Sequence, residues 1–242
     1  MYGHDKSTFR QMMEEVVQGG RCSGCGACVV ACPYDVLQYE AEKPLQHVLG
    51  SLPSLCPVAE CIECDICADV CPRLEAPELE IDKLVFGRKR NTEQEPFGVY
   101  TRVLYARTKD PRIAAVAQDG GVVTALLNWS IEKGIIDGAL VSGITPQSSW
   151  IAEPRVARTL QELMDCAGSR YTYSPNPLAM LEAVHNGSEK LALVGTPCEI
   201  SSVGKARLSG VEEYSSPITF TVGLLCAEAF TFEGLMQEKI VK

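Results

Sequence analysis

Residues 22–33 read CSGCGACVVACP, and residues 61–72 read CIECDICADVCP. Both stretches place four cysteines at the same intervals and end in Cys-Pro, which indicates two copies of one structural unit. The 242-residue chain has twelve cysteines, and nine of them lie between Cys22 and Cys71. This change in cysteine density predicts a first domain over residues 1–74, opened by a short helix over Thr8 to Val17.

The compartment decides whether such cysteines form disulfides or bind metal. Residues 1–21 are rich in charged side chains, and no later stretch approaches ~18 uncharged apolar residues. We therefore expect a cytoplasmic protein with no integral membrane segment, either free or at the periphery of a membrane complex. The formal net charge of −9 disfavours nucleic acid as a partner.

The cysteine spacing is that of two-cluster bacterial ferredoxins, in which the fourth cysteine of each motif binds the neighbouring cluster. It predicts two [4Fe-4S] clusters with crossed ligands, about eight irons in all. Small and apolar residues between the cysteines suit close approach of backbone N–H groups to sulfide. The first cluster takes Cys22, Cys25, Cys28 and Cys71, and the second takes Cys61, Cys64, Cys67 and Cys32.

Two alternatives concern these cysteines. A pair of zinc sites is disfavoured, because zinc ligands normally come as two pairs separated by a longer loop. Cys56 precedes a proline but lies outside the repeat. It is either a spare thiol or a replacement ligand, and the regular spacing of the other eight favours the spare thiol.

The rest of the chain predicts an α/β domain over residues 99–242, after a solvated linker over residues 75–98. A strand over Thr101 to Arg107, a helix over Gly121 to Lys133 and a strand over Ile135 to Val141 follow βαβ order. Further helices are expected over residues 159–167, over residues 177–186 and after Pro197. Further strands are expected over residues 190–194 and 218–225.

Gln118-Asp119-Gly120-Gly121 precedes the first of these helices. Asp119 or a glycine can cap the helix and leave its first N–H groups free for an anion, while Gly120 and Gly121 allow a phosphate to approach the backbone. A Gly-Gly turn that merely starts a helix is the more common use of such a stretch. The pattern by itself therefore leaves both interpretations open.

Cys198 and Cys226 each follow the end of a predicted strand. Thr196 is suited to cap the helix after the first strand, with Pro197 at its first position. Because ligands gather at the carboxyl ends of strands in open α/β sheets, the two thiols are expected in one crevice. Two buried thiols that act as small apolar groups are the alternative.

From about Tyr100 onward the sequence resembles a known family, the β subunits of coenzyme F-420 (also written F420) hydrogenases and dehydrogenases. Together with the N-terminal motifs it most resembles the input subunit of the dehydrogenase that oxidises reduced F-420. Five blocks in one order carry the resemblance: residues 117–127 (AQDGGVVTALL), 134–139 (GIIDGA), 167–175 (AGSRYTYSP), 195–198 (GTPC) and 223–226 (GLLC).

The resemblance implies a fold and an activity. The fold is an α+β ferredoxin-like domain with two [4Fe-4S] clusters, followed by an α/β flavin-binding domain. The activity is that of an oxidoreductase that exchanges hydride with the deazaflavin coenzyme F-420 through FAD and passes single electrons to the clusters. Its partners are coenzyme F-420 and other redox subunits or an electron-accepting complex. Family members also continue further, so the chain is expected to be a fragment or a truncated copy.

The resemblance also assigns residues. One segment would hold the flavin diphosphate or ribityl chain, and a second would line the crevice shared with the coenzyme. Cys198 and Cys226 would be ligands of a third [4Fe-4S] cluster, for which family members supply a further cysteine pair. The two segments consist of Gln118, Asp119, Gly120, Gly121, Val122, Val123 and Thr124, and of Gly168, Ser169, Arg170, Tyr171, Thr172 and Tyr173.

No side chain is nominated as a catalytic acid or base, because electron transfer needs none. Arg170 either stabilises a reduced flavin or a coenzyme phosphate, or is an ordinary exposed arginine. Two other functions remain open. One is a ferredoxin-dependent reductase of the chlorophyll-precursor type. The other is an electron-transfer subunit without hydride chemistry of its own, whose second domain only docks to a larger complex.

Overall fold

Short elements surround the cysteine motifs in the N-terminal unit. A computed structural model describes residues 8–35, 37–39, 53–55, 64–145, 148–230 and 233–240. Strands β1 and β2 pair in antiparallel fashion, which completes a ferredoxin-like α+β unit. Its elements are α1 (Phe9–Gln11), which continues as a π-helical segment (Met12–Gln18), then α2 (Ala27–Val30), β1 (Leu37–Tyr39), β2 (Pro53–Leu55) and α3 (Ile66–Asp69).

A four-stranded mixed sheet organises the second unit. The strand order is β4-β3-β5-β6, in which β3 and β4 are antiparallel and β3, β5 and β6 are mutually parallel. The elements are α4 (Glu78–Phe86), α5 (Pro111–Val116), α6 (Val122–Glu132), β3 (Gly138–Thr145), β4 (Ser148–Ala157), α7 (Leu160–Asp165), a 3-10 turn (Asn176–Leu178), α8 (Ala179–His185), β5 (Leu191–Gly195), α9 (Pro197–Ser209), α10 (Glu212–Ser215), β6 (Ile218–Gly223) and a second π-helical segment (Glu233–Ile240).

Alternate residues of the central strand β5 face opposite sides of the sheet, as strand geometry requires. Ala192 and Val194 pack with residues of α6 and α7. Leu191 and Leu193 pack with residues of α8 and α9 on the other side. That second cluster also includes Ala27, Ala31 and Val70 of the N-terminal unit. The cysteine-bearing unit therefore completes one face of the sheet and shares its core.

Contacts with α9 and with the turn before α8 fix the N-terminal unit in place. A Cβ added to Gly26 would lie 3.0 Å from Leu178 Cγ, so the loop backbone is seated directly against that side chain. From α9, Lys205 Nζ donates a hydrogen bond of 2.7 Å to the carbonyl oxygen of Cys71. Both the first cysteine loop and the fourth cysteine of the second motif are thus held by the second unit.

The stretch predicted as a solvated linker is instead partly helical. Helix α4 packs against α9, where a Cβ added to Gly204 would lie 2.7 Å from Ile81 Cγ2. Asp82 is buried and pairs with Arg90, which also pairs with Glu78. The charged residues that indicated solvation therefore bond to one another, while Ile81 supplies the apolar contact.

The expected strand over Thr101 to Arg107 is wrong. These residues form no regular element, and the side chains of Val103, Leu104 and Tyr105 are largely exposed. A run of β-branched and aromatic residues forms a strand only where a neighbouring strand supplies its pairing partners. Here the segment is instead held at its end, where Thr108 N donates to Gly120 O.

The other predicted elements are confirmed within a few residues, with one strand missed. Helices α6, α7, α8 and α9 and strands β5 and β6 lie where the pattern placed them, and β3 starts three residues later than expected. Strand β4 was missed; it contains Pro154, which is tolerated because β4 lies at the sheet edge. No helix in the described ranges combines the length and apolarity needed to cross a bilayer.

Candidate redox site

The first cysteine loop turns back on itself through two glycines in the left-handed region. Gly24 has a φ angle of 63° and Gly26 has a φ angle of 75°, and residues other than glycine rarely adopt this backbone conformation. The turn points backbone N–H groups inward, and Gly24 N donates to Cys22 Sγ at 3.5 Å. Backbone N–H groups of Ala27 and Val29 act in the same way on Cys25 and Cys28. The loop is therefore a cradle of N–H donors around three thiols.

The structure brings Cys71 to the same cradle. Cys22, Cys25, Cys28 and Cys71 line one cavity of about 430 Å³, a volume that includes its opening. Met12, Val16 and Val17 close the cavity from the N-terminal helix. The four cysteines assigned to the first cluster, although up to 49 positions apart in the sequence, thus surround one apolar cavity.

The electrostatics of this cavity fit a cationic metal centre. Burial raises the pKa of Cys22, and burial together with neighbouring thiolates raises the pKa values of Cys25 and Cys28 well above the ordinary value. Ionised thiolates in such a place need positive charge nearby, which the irons of a [4Fe-4S] cluster supply. Ser23 Oγ is also buried here and has no hydrogen-bond partner among the described residues. The donor set and the unpaired hydroxyl both fit a cluster.

The second motif is described in part. Cys67 is buried in an apolar cluster of the N-terminal unit that includes Met12 and Val16. Cys32 packs against this cluster. Cys64 is half-buried just before α3. Cys61, the remaining predicted ligand of the second cluster, and Cys56 lie outside the described residues. Within the described ranges, no three His, Cys, Asp or Glu side chains converge as they would around a single ion.

Cys198 and Cys226 lie at the carboxyl ends of β5 and β6. The two strand ends are tied together, since Leu224 N donates to Gly195 O at 2.9 Å. Burial and then the neighbouring Cys198 raise the pKa of Cys226, so the two thiols share the crevice. Cys198 also raises the pKa values of Cys22 and Cys25. The crevice therefore opens beside the first cysteine loop, a proximity that the sequence did not indicate.

The segment of residues 168–173 runs along this crevice. At one end, Ser169 N donates to Gln118 Oε1 at 2.9 Å and so joins the two segments predicted to bind flavin. At the other end, Tyr173 is partly buried, and its pKa is raised by burial and then by Cys22, Cys198 and Cys226. Thr172 pairs with Phe230 in an isolated bridge, and Tyr171 is exposed.

Arg170 lies between these two ends. Its guanidinium donates to the carbonyl oxygens of Ala167 and Ser169, and burial lowers its pKa. Its Nε is buried and has no partner among the described residues. Arg170 is therefore not an ordinary exposed arginine, and its unused donor is available to an anion. Cys166 lies close enough to Arg155 and Arg170 to interact with both charges.

The glycines at the start of α6 are required by the packing of the chain itself. Gly121, not Asp119, is the residue that caps α6, with φ of 65°. A Cβ on Gly120 would lie 2.7 Å from Ala106 O, and one on Gly121 would lie 3.0 Å from Thr108 and Ile113. Asp119 and Gln118 are exposed, and Val122, Val123 and Thr124 form the first turn. That turn keeps unpaired N–H groups, as helix starts do.

Sequence reasoning missed a buried polar network behind Cys198. Glu199 is 2% exposed and accepts hydrogen bonds from Asn176 N at 2.8 Å and Thr196 N at 2.7 Å. Ser202 shares a hydrogen bond of 2.8 Å with the fully buried Tyr214. The spacing of Thr196 and Glu199 is that of a capping box, which was the available signal for this network.

Three models of known protein families match the sequence. The family model described as "4Fe-4S dicluster domain" matches residues 21–76. The models of the N-terminal and C-terminal parts of the "Coenzyme F420 hydrogenase/dehydrogenase, beta subunit" match residues 103–180 and 188–242. The chain belongs to this family of beta subunits. The resemblance that the five sequence blocks carried is thereby confirmed.

Individual relatives match over different extents. Coenzyme F420 hydrogenase subunit beta of Methanothermobacter thermautotrophicus is 41% identical over 57% of this chain and 50% of its own length. A subunit of the F(420)H(2) dehydrogenase of Methanosarcina mazei is 28% identical over 94% of this chain and 59% of its own length. The chain thus spans about half the length of these curated relatives.

A solved structure of the F420-reducing [NiFe] hydrogenase complex from Methanosarcina barkeri is also similar. The matched chain is 35% identical, with a TM-score of 0.51, over 54% of this chain and 46% of its own length. The relatives are oxidoreductases and subunits of complexes by name. These findings support a ferredoxin-like dicluster unit joined to a mixed α/β sheet and an oxidoreductase role.

Paired cysteine substitutions test the crossed ligand sets. If Cys22 and Cys71 bind the same cluster, the double variant Cys22→Ala, Cys71→Ala loses about half of the roughly eight irons per chain. The double variant Cys22→Ala, Cys32→Ala strikes both clusters and loses nearly all iron. Iron and acid-labile sulfide are measured on anaerobically purified protein. Cys166→Ala, outside both motifs, is the control that keeps full iron, and the reverse pattern for the two double variants would show uncrossed ligation.

The buried carboxyl of Glu199 predicts how the free energy of unfolding depends on pH. Burial raises the pKa of Glu199 to about 7 from 4.5, so the folded chain holds this proton more tightly than the unfolded chain does. Stability from this group is full below about pH 4.5 and is lost as pH rises to about 7, by about 3 kcal/mol in total. Urea unfolding at pH 5 and pH 7.5 should show that Glu199→Gln loses less stability over this range than the unmodified chain.

The matched control for this prediction is Glu162→Gln. Glu162 occupies the same capping-box position on α7 but is exposed. Its replacement removes the same kind of capping hydrogen bond at an exposed site, so an effect seen in both variants would report the capping box and not the buried carboxyl. Equal pH dependence in Glu199→Gln and in the unmodified chain would contradict the prediction.

Proposed function

We propose that this chain is an iron–sulfur flavoprotein subunit that exchanges hydride with coenzyme F-420 through FAD and delivers single electrons to [4Fe-4S] clusters. Bound FAD would convert hydride, a two-electron unit, into single electrons. The observation that carries the proposal is the proximity of the two predicted flavin segments to the cysteines. Ser169 N donates to Gln118 Oε1, and Tyr173, Cys198, Cys22 and Cys25 lie near enough for their charges to influence one another.

The described residues fit a flavin in three respects. Helix α6 spans eleven residues and has no acidic residue in its first turn, so its N-terminus favours an anionic diphosphate. Arg170 offers a buried donor without a partner, suited to negative charge on a flavin or a coenzyme phosphate. Residues 168–173 begin near the loop before α6, where Ser169 contacts Gln118, and end at Tyr173 near the cysteine crevice. They would therefore line the space between a flavin and the first cysteine loop.

The experiment that tests the proposal measures cofactors and hydride exchange on the same sample. Anaerobically purified protein is assayed for iron, sulfide and flavin, supplied with FAD, and mixed with reduced F-420 and a viologen dye. We expect bound flavin, a change at the deazaflavin absorbance band and reduction of the dye. A protein with full iron that retains no FAD and leaves the deazaflavin band unchanged would instead be an electron-transfer subunit without hydride chemistry.

Gln118 supplies a more specific prediction. Gln118→Ala removes the hydrogen bond to Ser169 N, and a net bond of about 0.5–1.5 kcal/mol corresponds to about 2- to 10-fold weaker FAD binding. Iron content should not change, because Gln118 is not a predicted cluster ligand and lies outside both cysteine motifs in the sequence. The Kd for FAD is measured by quenching of flavin fluorescence. Gln161→Ala, an exposed glutamine on α7, is the control, and equal Kd values for the two variants would reject a role for Gln118.

A further inference from the structure

The two cysteine motifs differ in charge. The first motif carries no charged residue between its cysteines, whereas the second carries Glu63, Asp65 and Asp69. Negative charge near a cluster opposes the addition of an electron, and positive charge or hydrogen bonds to its sulfurs favour it. The charges and hydrogen-bond donors around the first motif therefore help to decide which of the two clusters has the higher reduction potential.

Lys205 of the second unit places a positive charge next to Cys71, one of the residues that line the first cluster's cavity. The side chain is only 5% exposed, and its Nζ donates to the carbonyl oxygen of Cys71, which lines that cavity. Burial lowers the pKa of Lys205, while Cys71, Glu75 and Asp69 raise it. Among the ion pairs of the described residues, none includes Lys205. The buried Nζ therefore holds its charge against the backbone of Cys71, and the carboxylates of Glu75 and Asp69 offset part of that charge.

Ser23 is an independent observation at the same cavity. Its Oγ is buried among the lining residues and has no partner in the described part of the chain. A buried hydroxyl without a partner is costly, and donation to a sulfur of the cluster would remove that cost. The matching position of the second motif is Ile62, whose side chain contains no hydrogen-bond donor. The hydroxyl therefore distinguishes the first cluster from the second.

We propose that Lys205 and Ser23 make the first cluster the more easily reduced of the two, so that it takes the first electron in a one-electron reduction. The inference rests on the two-cluster part of the proposed function and not on its hydride chemistry. Because the first cysteine loop borders the crevice of Cys198 and Cys226, the electron would reside where the two units meet. Neither residue is a cluster ligand. Lys205 acts on the reduction potential of the first cluster through its charge, and Ser23 acts on it through a hydrogen bond.

The test is a reductive titration of the cluster-loaded full chain, monitored by electron paramagnetic resonance. Lys205→Met keeps the apolar stem and removes the charge. We expect it to lower the equilibrium constant of the first reduction about tenfold, or about 59 mV for one electron. Lys205→Gln, which keeps a donor without charge, should show a similar fall, and Ser23→Ala a smaller one. The second reduction should move less in each variant.

Two control variants test whether the effects are specific to the cavity, and one further variant assigns the higher-potential reduction to a cluster. Lys190→Met and Ser209→Ala change exposed side chains away from the cavity and should leave both potentials unchanged. Cys22→Ala, which removes the first cluster, should abolish the higher-potential reduction. Survival of that reduction in Cys22→Ala would overturn the proposal. So would unchanged potentials in Lys205→Gln and Ser23→Ala at full iron content, even if Lys205→Met failed to fold.

The same samples separate this inference from the proposed function. Absence of flavin or of reaction with reduced F-420 would leave the two reductions measurable, and the comparison of variants would stand. Two reductions that respond equally to Lys205→Gln would reject the inference while leaving flavin chemistry untouched. Iron and sulfide assays on every variant show whether both clusters are present when the potentials are compared.

Discussion

The seating of the first cysteine loop against α9 and the turn before α8 is the contact on which the rest of the structure depends. Gly26 lies against Leu178, and Lys205 reaches across to Cys71. A Cβ on Gly26 would lie 3.0 Å from Leu178 Cγ and 3.1 Å from Pro175 Cβ, so glycine is what lets the loop approach the second unit so closely. The two units are consequently packed together, with the thiols of one beside the crevice of the other.

This seating also explains why the thiols of the first motif are so strongly buried. The apolar residues Ala27, Ala31 and Val70 continue the core formed by Leu191 and Leu193 under the sheet. Burial of this kind raises the pKa of the thiols and strengthens the electrostatic interactions between neighbouring charges. A metal centre in such surroundings responds strongly to each hydrogen bond and each side-chain charge, which gives the protein a means of adjusting it.

Local spacing predicted the parts of the molecule that depend on neighbours in sequence. The ferredoxin-like unit followed from the cysteine intervals, and helices such as α9 followed from capping residues such as Thr196 and Pro197. The strand expected over Thr101 to Arg107 is absent because no neighbouring strand in the described part of the chain pairs with it, and β4, an edge strand that contains Pro154, was not predicted. The proximity of Cys198 to Cys22 and the hydrogen bond from Lys205 to Cys71 involve residues more than 130 positions apart in the sequence, which no local pattern can predict.

The shared core links cofactor loading to the folding of the sheet. Ala27 and Val70 are each next to a predicted cluster ligand in sequence, and both belong to the core beneath β5. A centre that binds only the folded cysteine loops stabilises whatever those loops pack against. We therefore expect a chain without its clusters to have a less stable sheet and to be degraded sooner by cellular proteases.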